Sequence, residues 1–425
     1  MTRLLEIFET LTAIPRCSGN TTAALEYLIG FCRQSGATVK TDAAGNLLAA
    51  IGTPKICFQS HYDMVCIGDQ PPVTLREGEW LRAKGGTLGA DNGIGIAVML
   101  WLIERGVSGE YLFTNDEEIG LIGANALETL PVAPLLINLD SEEEGVVTLG
   151  CAGGADFFLS RSLEFESIDT ALFDAYEIRA KGCIGGHSGV DIHRGIAGAL
   201  AEVCGWLFDH SARLVSLEGG ERVNAIPREA KAIAWLPKKT VLKAAPHVEF
   251  KPCAASDRVI AGSNRLLAAL AALPHGVLDW DNTHNVVCQS SNFALAKTAD
   301  DRLEITLSVR GNTPKALEDA GRRVRAAAFL GGLEARSEGK YPPWPPEGGA
   351  LADRMAELMR QAGLKPSMSV IHAGLECAVL KTKLPHTEMV SVGPTIRFPH
   401  SDRECVHLPS VERFLNLIQK AAREL

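Results

Sequence analysis

The sequence predicts an α/β chain with a second, α+β domain inserted into it. Three observations point there. Short apolar runs at 46–51, 55–60, 110–114 and 135–139 have strand length and end in polar residues, and a helical run from Ile94 to Arg105 lies among them. Past Gly150-Cys151-Ala152-Gly153-Gly154 the character changes, and residues 156–165 and 175–181 alternate like half-buried strands. The stiff segment Tyr341-Pro342-Pro343-Trp344-Pro345-Pro346 then leads back to alternating helices and short strands. The expected boundaries are 1–152, 153–340 and 341–425, with the first and last segments forming one layered domain.

Each element has a local reason. Residues 3–13 and 21–35 are amphipathic and are broken between Pro15 and Asn20, with Asn20 or Thr21 as a cap. A Gly-rich turn opens the helix at 94–105. In the insert, a helix follows Gly195, strands are expected near 230–236 and 303–310, and a helix at 314–328. The length of 425 residues exceeds one ordinary core, which agrees with two domains.

Composition excludes several classes. A formal charge of −9 argues against sequence-independent nucleic-acid binding, which needs a basic surface. No run of 18 apolar residues occurs, so no membrane span is expected, and the first residues lack the apolar core of a signal peptide. The 11 cysteines are scattered without a Cys-x-x-Cys pair. Free buried thiols in a reducing compartment are the expectation, and this places the chain in the cytoplasm.

The acids and histidines carry the chemistry. His61 and Asp63 follow the apolar run ending at Gln59. Glu117 and Glu118 follow Tyr111-Leu112-Phe113, and Asp140 follows the run ending at Leu139. Ligands gather beyond the carboxyl ends of strands in open α/β sheets, so these side chains can converge. Asp91 lies among glycines before a helix, where a capping role competes with a ligand role. His400 lies in a polar loop after Pro399, with His372, His386 and His407 as rivals on composition. Carboxylate oxygens and imidazole nitrogens suit zinc or manganese, and two such ions can activate a water and polarise a carbonyl. His61 and Asp63 share a face of an extended segment, so Asp63 can hold the second ring nitrogen of His61. One of Glu117 and Glu118 can bind metal while the other serves as base. In the insert, His187 sits in the Gly-rich loop Gly185-Gly186-His187-Ser188-Gly189, and Arg310 ends a strand where it could pair with a carboxylate.

These residues lie in stretches that resemble a known family. FQSHYDMV (58–65), TLGADNGIG (87–95), TNDEEIGLIGA (114–124), LINLDSEEEG (136–145), GCAGG (150–154), GGHSGVDIHRG (185–195), RVNAIPREA (222–230), HAGLEC (372–377) and VGPTIRFPHS (392–401) are similar to those of the co-catalytic di-zinc metallopeptidases. That group includes the carnosinases and carboxypeptidase G. Within it the chain most resembles the bacterial aminoacyl-histidine, or cytosol non-specific, dipeptidases. The resemblance implies a mixed-sheet catalytic domain with an inserted α+β lid that mediates homodimerisation. It implies two divalent metal ions, zinc foremost, with manganese or cobalt as alternatives. His61, Asp91, Glu118, Asp140 and His400 match the metal ligands, with Asp91 bridging. Glu117 matches the general base, Asp63 the residue orienting His61, and His187 the group that steadies the oxyanion. Asn224, Arg310, Gly374 and Glu376 match substrate-binding positions. The implied substrates are unblocked dipeptides, including Xaa-His. Asp140, where deacylase relatives carry Glu, points the same way. An N-acyl amino acid amidohydrolase on the same fold is the rival, and an inactive binding protein the other. The chain departs from the family in length, being shorter mainly in the lid.

Overall fold

The computed structural model describes residues 1–346 and 348–425. The chain divides into two compact units. The first comprises Met1–Cys151, Trp344–Val370 and Leu375–Leu425, and the second comprises Ala152–Pro343 and Ile371–Gly374. The fold is mixed α/β.

The first unit is built on an eight-stranded sheet. Its order is Thr38–Thr41, Leu47–Ile51, Gly109–Thr114, Ile56–His61, Leu135–Asn138, Glu388–Ser391, Val146–Cys151 and Ser367–Ile371. The middle of this sheet is parallel. Ile56–His61 runs parallel to both Gly109–Thr114 and Leu135–Asn138, and Glu388–Ser391 runs parallel to Leu135–Asn138. Antiparallel strands flank it, so the sheet is mixed. Every residue of Ile56–His61 and of Gly109–Thr114 is buried, as expected of central strands covered on both faces. The helix Ala90–Glu104 is apolar on all sides, and Ile94 to Ile103 are all buried. Such a helix belongs inside a core rather than on a surface. It packs with the sheet, the N-terminal helix Thr2–Thr12 and the C-terminal helix Leu408–Glu424 in one cluster. A hairpin of Gly68–Glu77 and Trp80–Gly86, extended by Cys405–His407, forms a separate small sheet.

The second unit holds a nine-stranded sheet whose pairings are antiparallel. Its long strands Val286–Ala299, Arg302–Gly311 and Gly153–Ser162 lie side by side. The helices Ala199–Asp209, Ser263–Ala272 and Pro314–Gly331 close one apolar core with them. Thr313 caps the last of these, its side chain accepting the Ala316 N–H at 3.1 Å, with Pro314 in the first turn.

The expectation of free thiols throughout is corrected at one pair. Cys17 and Cys66 are joined by a disulfide, and nine cysteines are free. The cause is a pairing of backbone that periodicity does not reveal. Met64 N donates to Arg16 O at 3.0 Å and Ser18 N to Met64 O at 3.2 Å, which lays the segment around residue 17 alongside the segment after Asp63.

Phe58 is fully buried and stacks on Tyr111 with ring centroids 5.7 Å apart, three residues before His61. Phe58→Ala is expected to cost about 3–5 kcal/mol. Urea unfolding followed by circular dichroism measures this, and a loss under about 1 kcal/mol would contradict the assigned core position.

Candidate active site

The parallel strands deliver the acids. His61 is the last residue of its strand, Glu117 and Glu118 follow the end of Gly109–Thr114, and Asp140 follows Leu135–Asn138. The loop before the buried helix supplies Asp91. Gly89 there has φ +70°, and Asp91 and Asn92 leave helical geometry. His400 comes from a tight turn in which it has φ +57° and Phe398 has φ +54°. Non-glycine residues in this left-handed region carry a backbone cost of about 1–2 kcal/mol. Such conformations cluster where a side chain must be aimed.

The bridging geometry is centred on Asp91. Its Oδ1 lies 3.2 Å from His61 Nε2, and its Oδ2 lies 3.1 Å from His400 Nε2. On the first side Asp140 Oδ1 is 3.3 Å from His61 Nε2. On the second Glu118 Oε2 is 2.9 Å from His400 Nε2. Two groups, His61-Asp91-Asp140 and Asp91-Glu118-His400, thus share one carboxylate, and in each the ligand atoms lie within 4.8 Å of one another. A third group, His61-Glu117-Glu118, brings in the neighbouring acid. Glu118 Oε1 is buried without a hydrogen-bond partner. An orphan buried carboxylate oxygen facing imidazoles and further carboxylates fits a hard or borderline divalent cation.

The electrostatics follow from crowding. Burial pushes the Glu117 carboxyl well above the usual range, with Asp140, Glu118 and Glu376 adding to the effect. Burial likewise raises Asp140 to about 6. Burial opposes the charge on His61, yet Asp140, Asp63 and Asp91 hold it protonated well above its ordinary range. Asp91 is drawn down, against its burial, by His400 and His61.

Asp63 does more than face His61. His61 Nδ1 lies 3.2 Å from the Asp63 backbone oxygen and 3.4 Å from its Oδ1. The carboxylate accepts from Glu117 N at 3.0 Å, Glu118 N at 3.2 Å and the Ser18 hydroxyl at 2.8 Å. It therefore fixes the turn that carries the paired glutamates. Sequence reading missed Ser18, and it also missed Asn92, whose amide donates to Asp140 Oδ1 at 2.6 Å. The repeated polar residues around the glycines were the only available signal.

Glu376 is fully buried at the start of a helix. Its Oε2 accepts from Gln59 Nε2 and from Thr114 Oγ1 at 2.6 Å, and burial raises its carboxyl to about 7. It sits among the strand ends rather than on an open surface.

His187, Asn224, Arg310 and Gly374 belong to the second unit. His187 pairs with Ala225 in a two-stranded ribbon, and Asn224 O accepts the Ser188 N–H at 2.9 Å. His187 Nδ1 accepts from Gly189 N at 3.1 Å and Val190 N at 3.2 Å. That leaves the ring proton on Nε2 and makes this nitrogen a donor. Arg310 Nη1 donates to the Tyr341 hydroxyl at 3.2 Å, and a Cβ at Gly374 would stand 3.0 Å from the same ring. A Cβ at Gly189 would stand 3.1 Å from Arg310 Cζ, so the His187 loop abuts that guanidinium. The rival His372 is spent on Ser290 Oγ at 2.7 Å and Asn312 Oδ1 at 3.0 Å, and burial lowers it to about 3. His386 is exposed, and His407 lies 3.4 Å from Glu79.

No family model matches the sequence. It is nonetheless 33% identical over 472 residues to the cytosol non-specific dipeptidase of Escherichia coli (strain K12), covering 99% of this chain and 97% of that protein. The chain belongs to the cytosol non-specific dipeptidase family. This is the family whose motifs the sequence carries. The crystal structure of the aminoacylhistidine dipeptidase from Vibrio alginolyticus matches with a TM-score of 0.87 and 31% identity, covering 100% of this chain and 96% of that one. A dinuclear metal-binding peptidase of Bacillus subtilis shares the fold alone, with a TM-score of 0.53 and 14% identity over 100% of this chain and 98% of that one.

Replacing Asp63 by Asn turns an N–H2 group toward donors that now find an acceptor. Asp63→Asn is expected to lower stability by about 1–3 kcal/mol, read from the urea midpoint at unchanged slope. An unchanged midpoint would show that these bonds do not hold the turn.

Proposed function

We propose that the chain is a metal-dependent dipeptidase that hydrolyses unblocked dipeptides, Xaa-His substrates such as carnosine among them. The observation that carries this reading is Asp91, whose two oxygens address different imidazoles in two ligand groups. His61, Asp91 and Asp140 would hold one divalent cation, and Asp91, Glu118 and His400 the other. Zinc suits the nitrogen and carboxylate donors best, and manganese or cobalt can replace it. When bound, the pair supplies Lewis acidity toward a carbonyl oxygen and an acidified water.

The chain's own groups supply the proton path and the grip. Glu117 is half-buried beside the ligand groups, with its N–H tied to Asp63. Its raised proton affinity suits a base that takes a proton from water and returns it to the leaving amine. The His187 Nε2–H is a donor of the kind that steadies a developing oxyanion. Arg310, with Asn224 and Gly374, offers a cationic, hydrogen-bonding seat for a terminal carboxylate. Glu376, whose one oxygen is held by Gln59 and Thr114 while the other is without a partner, lines the substrate pocket near Glu117. Homodimerisation through the inserted domain and a cytoplasmic location complete the reading. Among the described residues no helix is long and apolar enough to cross a membrane.

Purified protein loaded with zinc, manganese or cobalt is expected to cleave Ala-His, β-alanyl-His and Leu-Gly but to leave a tripeptide and N-acetyl-ornithine intact. Glu117→Gln should lower kcat by roughly 10²- to 10⁴-fold with little change in KM. Turnover of N-acetyl-ornithine without dipeptide cleavage would replace this reading by an amidohydrolase.

A further inference from the structure

Two buried charged residues outside the ligand set meet at the Asp91 loop. Arg16 is 1% exposed and Glu404 is 2% exposed. Burying either charge is costly unless it is paired and hydrogen-bonded, so each must be matched by a specific arrangement. Arg16 Nη1 donates to Tyr62 O at 3.2 Å and Asp63 O at 3.1 Å, on the segment that follows His61. Its Nη2 donates to Gly89 O, two residues before Asp91. One planar guanidinium thus spans two ligand-bearing loops, which its fork of donors allows and a single ammonium does not.

Glu404 meets the same loop from the other side. Its Oε2 accepts from Gly89 N at 2.8 Å and its Oε1 from Asp91 N at 3.1 Å. Glu404 N in turn donates to Ser401 O at 3.1 Å, within the turn that presents His400. Gly89 is therefore gripped through both of its backbone polar groups, its carbonyl by Arg16 and its N–H by Glu404. The local glycines make room for this. A Cβ at Gly89 or at Gly93 would collide with the Arg16 guanidinium. The Arg16 charge also faces Glu404, Asp63, Asp91 and Glu118, so it offsets part of the negative charge of the cluster.

We propose that Arg16 and Glu404 are positioning residues that bracket the Asp91 loop and fix the shared carboxylate between His61 and His400. The inference rests on the two-cation reading of the site. It assigns to this pair the registration of three separate chain segments, those at 61–63, 89–91 and 400–404. Neither residue belongs to a candidate ligand group; both act through the backbone that aims Asp91.

Arg16→Lys keeps the charge but cannot span both loops. Glu404→Gln keeps the shape but turns an N–H2 group toward a peptide N–H. Cobalt(II) titrated into the full-length apoprotein, read by calorimetry and by visible absorption, tests the pair. Wild type is expected to take up two equivalents. Each variant should bind cobalt about 10- to 100-fold more weakly, with altered absorption bands, and should lose kcat more than KM. The melting temperature of each apoprotein is measured in parallel, because a purely structural role would move it and leave cobalt affinity unchanged. If wild type binds two equivalents and both variants bind within about twofold of it with the same spectrum, the positioning role is overturned while the site reading stands. If wild type binds fewer than two, the site reading falls and the proposal with it. Should Arg16→Lys fail to fold, the isosteric Glu404→Gln decides by the same criteria.

Discussion

Like charges forced together at the carboxyl ends of parallel strands are the constraint on which the site depends. Asp91, Glu117, Glu118 and Asp140 are all drawn beside His61, within groups whose ligand atoms lie within 4.8 Å. Two unit charges 4 Å apart repel by about 4 kcal/mol at the effective dielectric of a protein. The same crowding raises the proton affinity of His61, His400, Glu117 and Asp140 above their ordinary ranges. A divalent cation held by these residues would offset the repulsion in place of protons, since imidazole ligates in its neutral form.

The scaffold makes this crowding tolerable by rigidity. The strands Ile56–His61 and Gly109–Thr114 are buried along their length, and the helix beyond Asp91 is buried from Asn92 to Ile103. Around the charges, peptide groups are committed in pairs. Asp63 accepts the N–H groups of Glu117 and Glu118, and Glu404 those of Gly89 and Asp91. Each such bond to a carboxylate contributes about 1.5–3 kcal/mol, and a buried group left without its partner costs about 1–3 kcal/mol or more. The arrangement resists relaxation, as a preformed cation site would require.

Much of the architecture was legible because it follows from short-range rules. Strand-length apolar runs ending in acids imply that His61, Glu118 and Asp140 reach one edge of a sheet, and the structure brings them there. The glycines around Asp91 signalled a tight loop, although they did not say what the loop had to admit. Other features were hidden because their partners lie far along the chain. Arg16 contacts backbone oxygens at positions 62, 63 and 89, and a carbonyl leaves no trace in a residue string. Glu404 looks like a surface acid in a polar turn until Gly89 and Asp91 are placed against it. Glu376 reads as a pocket residue from its motif, but the motif does not show that Gln59 and Thr114 hold one of its oxygens. The cysteine count could not reveal the Cys17–Cys66 pair, which depends on backbone pairing between residues 16–18 and 64.

The central claim is that Asp91 joins two cations in one centre. Electron paramagnetic resonance of the protein loaded with two equivalents of manganese(II) tests it most directly, since a shared carboxylate couples the two spins. The account predicts an exchange-coupled spectrum, replaced in Asp91→Ala by the six-line pattern of isolated manganese. An uncoupled six-line spectrum in the fully loaded wild type would contradict it.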